Sequence, residues 1–433
     1  MKYGMVKNDM LSLAYKKSVH SSGLNIVTAQ MPEYTGVFVR LSVNYGGTDT
    51  KYTTDGGKTV RELPLGIAHF LEHKMFETEK GDTFDNYSAL GIFANAYTSY
   101  DYTEYIFEGT ENFREGLEVL FEQTITSYFT EKTVAKEMDI IANELMMYDN
   151  DPEWICQRNL LEAMYKNGEI RNDIGGTLET IRDITPEMLY DCYKTFYNLH
   201  NMTLFVSGNF DESIIFETAD KMLKNVEPVD FSIVYNDEDI NYIDKKLVCV
   251  RQPISKPMFK IGFKNKVIDG LDAYKQEILN EMVAELLFGD ISKLDEKFRK
   301  KGYINSSMYV EVEEGKSYNF IVIGGESSDY NAIYEEAINK INYVAKNGFT
   351  EEEYDLFERV KKMTYADYIL RFTSPKGVLS MLKRSQFYDI DDIFVIIDFI
   401  KGITIDDLQR AVIEYYNTDR SALSVIECEE EAE

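Results

Sequence analysis

Ile184-Thr185, Leu189 and Phe196-Tyr197-Asn198 return downstream as Ile403-Thr404, Leu408 and Tyr415-Tyr416-Asn417, at an offset of 219 (403 − 184). Upstream of these, Phe129-Thr130-Glu131 is echoed by Phe349-Thr350-Glu351 at 220 (349 − 129). Self-similarity at one fixed interval is the mark of a duplicated unit. The flanks agree with this reading. A strand-like run follows each echo, Met202 to Gly208 and Ala422 to Ile426. Alternating runs at Val37 to Val43 and Met258 to Phe263 open the halves, and a long helical pattern follows each. Each half therefore reads β, α, β and then helices. The stretch between them, about Glu227 to Lys246, carries Pro228 and the acidic run Asn236-Asp237-Glu238-Asp239, as a linker would. The expected organisation is an α+β chain with one domain over 1–226, a linker over 227–246 and a second domain of the same fold over 247–433.

The composition supports two full cores. Of the 433 residues, 44% are hydrophobic and 13% aromatic, which belongs to folded chains rather than to disordered acidic ones. A formal charge of −29 opposes binding to phosphate backbones, so no nucleic-acid partner is expected. The same charge suits a soluble surface and specifies no substrate. Cys156, Cys192, Cys249 and Cys428 are scattered, without a C-x-x-C pair, and read as reduced thiols. Met1 to Lys17 lacks the apolar stretch of a signal peptide, and no run approaches the ~18 apolar residues of a membrane span. A cytoplasmic protein with no membrane association is the expectation.

The chemistry concentrates in Ala68-His69-Phe70-Leu71-Glu72-His73-Lys74. Two of the four histidines in the chain stand four apart there, hence on one helical face. Two imidazoles so placed can meet one zinc ion at about 2.0–2.1 Å each, with Glu72 beside them on the same side. A catalytic zinc takes three protein ligands and leaves one position open. The third ligand is expected from the helical segment Thr133 to Tyr148, where Glu137 and Glu144 lie seven apart beside Val134, Met138, Ile141 and Leu145. Spacing alone allows either acid.

These residues resemble the inverzincin peptidases, the family of pitrilysin, insulysin and the mitochondrial processing peptidase, whose signature is H-x-x-E-H. The likeness runs through His69 to Phe76, Asn95-Ala96-Tyr97-Thr98-Ser99, Glu137 to Glu144 and Asp173-Ile174-Gly175-Gly176-Thr177, and points to the bacterial YmfH-type branch. The resemblance implies a duplicated αββ-sandwich. It implies zinc held by His69, His73 and Glu144, with Glu72 as general base and Glu137 orienting a ligand. It implies a peptide substrate laid as an added strand beside Asn95 and Ala96.

The second half departs from the first. Its counterpart of the histidine-bearing helix reads Glu281-Met282-Val283-Ala284-Glu285-Leu286-Leu287-Phe288, with no histidine, so one site per chain is expected. Many relatives carry there an Arg and, seven residues on, a Tyr that hold the scissile carbonyl. Here Arg299 fits, seven on is Ser306, and the near tyrosine is Tyr303. The expected function is a zinc endopeptidase acting on peptides or unfolded segments in a chamber of four such units. The chamber would be a homodimer or a heterodimer with a metal-free homologous subunit. The alternative is a non-catalytic or partner-dependent subunit.

Overall fold

Along Val37–Val43 every second residue is buried, which is what a period-two pattern gives when one face of a strand is turned into a core. The computed structural model describes residues 4–429 and contains two large sheets, beside two small ones of three and two strands. Among the described residues the first sheet has seven strands, in the order Gly4–Asn8, Leu13–Val19, Asn25–Gln30, Met202–Gly208, Val37–Val43, Thr103–Gly109, Phe93–Thr98. The second has five, in the order Leu247–Gln252, Ser421–Cys428, Met258–Lys264, Asn319–Glu326, Tyr309–Glu314.

The last five strands of the first sheet and the five of the second follow one plan. In each, the first pair is parallel (Asn25–Gln30 with Met202–Gly208, Leu247–Gln252 with Ser421–Cys428) and the remaining neighbours are antiparallel. The duplication read from the sequence is thus a duplication of sheet topology, in the α+β class expected. The first sheet carries an additional hairpin, Gly4–Asn8 with Leu13–Val19.

The compact units do not follow the linear division at 227–246. One unit comprises residues up to Leu145, Asp173–Tyr235 and Ile369–Phe394; the other comprises Met146–Asn172, Asn236–Tyr368 and Val395 onward. The halves have exchanged a helix. Pro152–Met164 lies on the second sheet, burying Ile155, Cys156, Leu160, Leu161 and Met164, and Pro375–Phe387 lies on the first, burying Val378, Leu379, Met381 and Leu382. The physical reason is the apolar face each sheet must cover. Gly262 lets the first of these helices approach, since a Cβ there would stand 2.6 Å from the Met164 sulfur.

The stretch 227–246 is divided between the units: Ser232–Ile233 pairs as a short strand with Lys51–Thr53 in the first, and from Asn236 on it belongs to the second. Lys264, at the end of its strand and 1% exposed, directs its ammonium to the Glu238 carboxylate at 2.5 Å and to the carbonyls of Met164, Asp239 and Tyr242. Glu238 in turn accepts the backbone N–H groups of Lys166, Asn167 and Gly168. All four cysteines are free thiols, and no helix among the described residues is long and apolar enough to cross a membrane.

Removing one member of a buried ion pair leaves the other charge uncompensated, typically at a cost of about 3–5 kcal/mol. Glu238→Ala is therefore expected to lower unfolding free energy by about that amount, measured by urea denaturation, and Lys264→Met in the same background to recover part of it.

Candidate metal and catalytic site

An isolated helix of eight residues does not persist in water, so Ile67–Lys74 exists by packing. Ile67, Phe70 and Leu71 enter the apolar cluster that also holds Leu117, Leu120, Phe121, Leu189 and Phe196. Each such side chain contributes about 1.5–3 kcal/mol on burial. Gly66 opens the helix in the left-handed region at φ 89°, and a Cβ there would lie 2.3 Å from the Gly175 carbonyl oxygen. The Asp173 to Thr177 loop thus presses directly on the start of the helix.

His69 and His73 stand one turn apart with ring centroids 4.6 Å from each other. The helix Glu131–Tyr148 buries Val134, Ile141 and Leu145, and this brings Glu137 and Glu144 over the imidazoles. Glu144 Oε2 is 3.7 Å from His69 Nε2 and 3.5 Å from His73 Nε2. Glu137 Oε1 is 3.1 Å from His73 Nδ1. Ligating atoms of His69, Glu72 and His73 lie within 4.8 Å of one another. Glu72, 7% exposed, accepts a hydrogen bond from Thr98 Oγ1 at 3.1 Å.

This donor set suits a divalent cation. Two ligand atoms at ~2.05 Å from a tetrahedral zinc are about 3.3 Å apart, close to the separations of Glu144 from the two imidazoles. The bond from His73 Nδ1 to Glu137 turns the Nε2 lone pair towards Glu144. Burial pushes His69 down to about 3, aided by the neighbouring His73, so its ring is neutral and able to ligate. Its Nδ1 is buried without a hydrogen-bond partner among the described residues. For His73 burial opposes the charge, but the Glu137 hydrogen bond and the carboxylates of Glu72 and Glu144 outweigh it and raise its pKa. Burial raises Glu72 to about 7, against the lowering effects of His73 and Thr98. A carboxyl poised there both accepts and returns a proton near neutrality.

Beside these groups is a cavity of about 530 Å³ lined by Glu72, His73, Asn95, Ala96, Phe76 and Phe84, among others. The two phenylalanine rings stack at 4.2 Å. Asn95 and Ala96 belong to Phe93–Thr98, the edge strand of the first sheet among the described residues.

The structure thus gathers seven of the residues singled out in sequence: His69, Glu72, His73, Asn95, Ala96, Glu137 and Glu144. Arg299 and Tyr303 belong to the other compact unit. There the Arg299 guanidinium is engaged by Asp295 at 2.6 Å, by the Asn305 carbonyl at 3.1 Å and by Ser307. The Tyr303 backbone N–H closes the helix end by donating to Phe298 O. Sequence reasoning assigned no role to the Thr98 hydroxyl. Period two along the strand puts Ala94, Ala96 and Thr98 on one face, and that signal could have found it.

Known proteins share this fold and parts of this sequence. The model of the insulinase family, peptidase family M16, matches residues 61–178, and that of the peptidase M16 inactive domain matches 183–363. A Bacillus subtilis protein named as an uncharacterised zinc protease, YmfH, is 32% identical over 406 residues, spanning 92% of this chain and 93% of its own. The chain belongs to the M16 peptidase family. Among solved M16 folds, an M16-like peptidase from Alicyclobacillus acidocaldarius superposes with a TM-score of 0.89 at 26% identity, covering 96% of this chain and 99% of that one. A protease from Helicobacter pylori gives 0.81 at 19% identity, covering 95% and 99%. The M16 inactive-domain match includes the helix Gly270–Phe288, where the second copy lacks histidine.

Gly66→Ala would combine a left-handed φ with a clash against the Gly175 carbonyl. A melting temperature lowered by an amount equivalent to about 1–3 kcal/mol is expected, by calorimetry; an unchanged value would show that the loop yields freely.

Proposed function

We propose that the protein is a zinc-dependent endopeptidase, with His69, His73 and Glu144 holding the metal and Glu72 transferring the proton. The observation that carries this reading is the convergence of two Nε2 atoms and one carboxylate oxygen beside a buried Glu72, next to an open strand edge. Zinc bound there supplies Lewis acidity, polarising a peptide carbonyl and acidifying water. Glu72 takes a proton from the attacking water and delivers it to the leaving amine. Glu137 holds His73 in the tautomer that ligates. The edge Phe93–Thr98 offers backbone N–H and C=O groups on its free side to an extended peptide, a mode that reads backbone more than side chains. The relative named as a zinc protease supports the choice of metal. Peptides or unfolded segments in the cytoplasm are the substrate class of this reading.

A partner-dependent form of the activity is favoured by one observation. Arg299, expected to hold the scissile carbonyl, is committed to Asp295, Asn305 and Ser307 within its own unit. A metal-free homologous subunit would then supply the missing donor.

Elemental analysis of purified chain is expected to give one zinc, lost in His73→Ala. Glu72→Gln should keep the metal while peptide turnover falls about 10²–10⁴-fold. Glu137→Gln should weaken metal binding about 10–100-fold, and Glu144→Gln by more. Full turnover by Glu72→Gln would refute the assigned role. For the partner, cleavage by the isolated chain should be weak and should rise on adding a homologous subunit lacking H-x-x-E-H. Strong cleavage by the chain as a monomer, abolished by Arg299→Ala, would assign the carbonyl-holding role to this chain instead.

A further inference from the structure

We infer that Thr98 is a positioning residue that aims the Glu72 carboxyl, so that the strand seating the substrate also orients the group that moves the proton. This rests on the reading of Glu72 as the proton acceptor.

The inference comes from counting hydrogens. Thr98 Oγ1 lies 3.1 Å from Glu72 Oε2 and 3.5 Å from Thr103 Oγ1. Thr103, fully buried, donates its own hydroxyl hydrogen to the Tyr45 carbonyl at 2.9 Å. Thr98 has one hydrogen to give. The Glu72 oxygen is the nearer acceptor, at 3.1 Å against 3.5 Å. The hydroxyl of Thr98 therefore points at Glu72.

Its location is fixed by backbone rather than by a flexible side chain. Thr98 and Thr103 sit directly opposite each other at the end of an antiparallel pair, and the Ser99 N–H donates to Tyr102 O at 2.8 Å to close the hairpin. The β-branched side chain is itself stiff at χ1. On the partner strand, Tyr105, two residues on from Thr103, is buried, and its hydroxyl meets that of buried Tyr197 at 2.7 Å. Asn95 and Ala96, three and two residues earlier on the strand, line the cavity with Glu72. Substrate register and carboxyl orientation are set by one six-residue strand.

The test uses the full zinc-loaded chain and a quenched peptide. Thr98→Val keeps the shape and removes the donor, and Thr98→Ser keeps the donor. In Thr98→Val, kcat is expected to fall about 10- to 100-fold with KM changed less than about twofold, and zinc content and melting temperature preserved. Thr98→Ser should stay within about threefold of the parent, and adding Thr98→Val to Glu72→Gln should bring no further loss. A parental kcat in Thr98→Val while Glu72→Gln is inactive overturns the inference and leaves the peptidase reading standing. Independent, multiplicative losses in the double variant also overturn it. So does loss of zinc or of thermal stability in Thr98→Val that Thr98→Ser does not avoid, since Thr98 would then be a packing residue. Full turnover by Glu72→Gln removes the underlying reading, and the inference with it.

Discussion

Seating an eight-residue helix that carries two imidazoles, a carboxyl and an ammonium against an apolar core is the constraint on which this structure turns. Phe70 and Leu71 draw the helix inward, and Glu72 and Lys74 are buried with them. A buried charge without a partner is expensive, so the neighbours follow from the helix. Lys74, with no exposed surface, is met by Glu77 and lies 3.4 Å from the Thr133 carbonyl. His73 is met by Glu137, and Glu72 by Thr98. The partners come from three elements: Glu77 from a short strand, Thr98 from the edge strand, and Thr133 with Glu137 from the helix Glu131–Tyr148. The first unit is in this sense assembled around one short helix that could not stand alone.

The second copy meets a different version of that constraint. Its helix Gly270–Phe288 buries Ile278, Met282, Val283, Leu286, Leu287 and Phe288 together with Glu277 and Asn280, but carries no histidine. The sheet plan is retained strand for strand while the histidine pair is absent. Fold and site are separable here: topology rests on the five-strand pattern, whereas the site rests on a few side chains added to one copy of it.

Much of this was legible in the sequence because it is local. The period-two run marked Val37–Val43; the run at Met258 to Phe263, read as alternating, is a strand buried nearly throughout; and the i, i+4 histidines put two imidazoles on one face. The repeat at 219 announced the second sheet. What escaped was the long-range pairing. Pro152–Met164 and Pro375–Phe387 are amphipathic helices whose pattern tells that one face is buried but not on which sheet, so their exchange was invisible. The acidic run at Asn236 to Asp239 read as linker, while one of its members, Glu238, closes on a lysine in a strand. Choosing Glu144 over Glu137 as the residue facing both imidazoles needed either the family likeness or coordinates, since a spacing of seven puts both on one face.

The two copies also differ at the edge that follows the same place in the strand order. An exposed edge presents unpaired backbone groups, and proteins ordinarily blunt it with charge or proline. The second sheet does so: Tyr309–Glu314 carries Glu311, Glu313 and Glu314. The corresponding edge of the first sheet, Phe-Ala-Asn-Ala-Tyr-Thr over Phe93–Thr98, has neither a charge nor a proline, and Phe93 is 59% exposed on it. Leaving one edge adhesive while guarding its twin makes physical sense when an extended chain is meant to bind at the first and not at the second. The unguarded edge is the one beside His73 and Glu72. The contrast between duplicates thus supports the proposed peptide seat on grounds independent of any metal, and it falls on the strand whose last residue donates a hydrogen bond to Glu72.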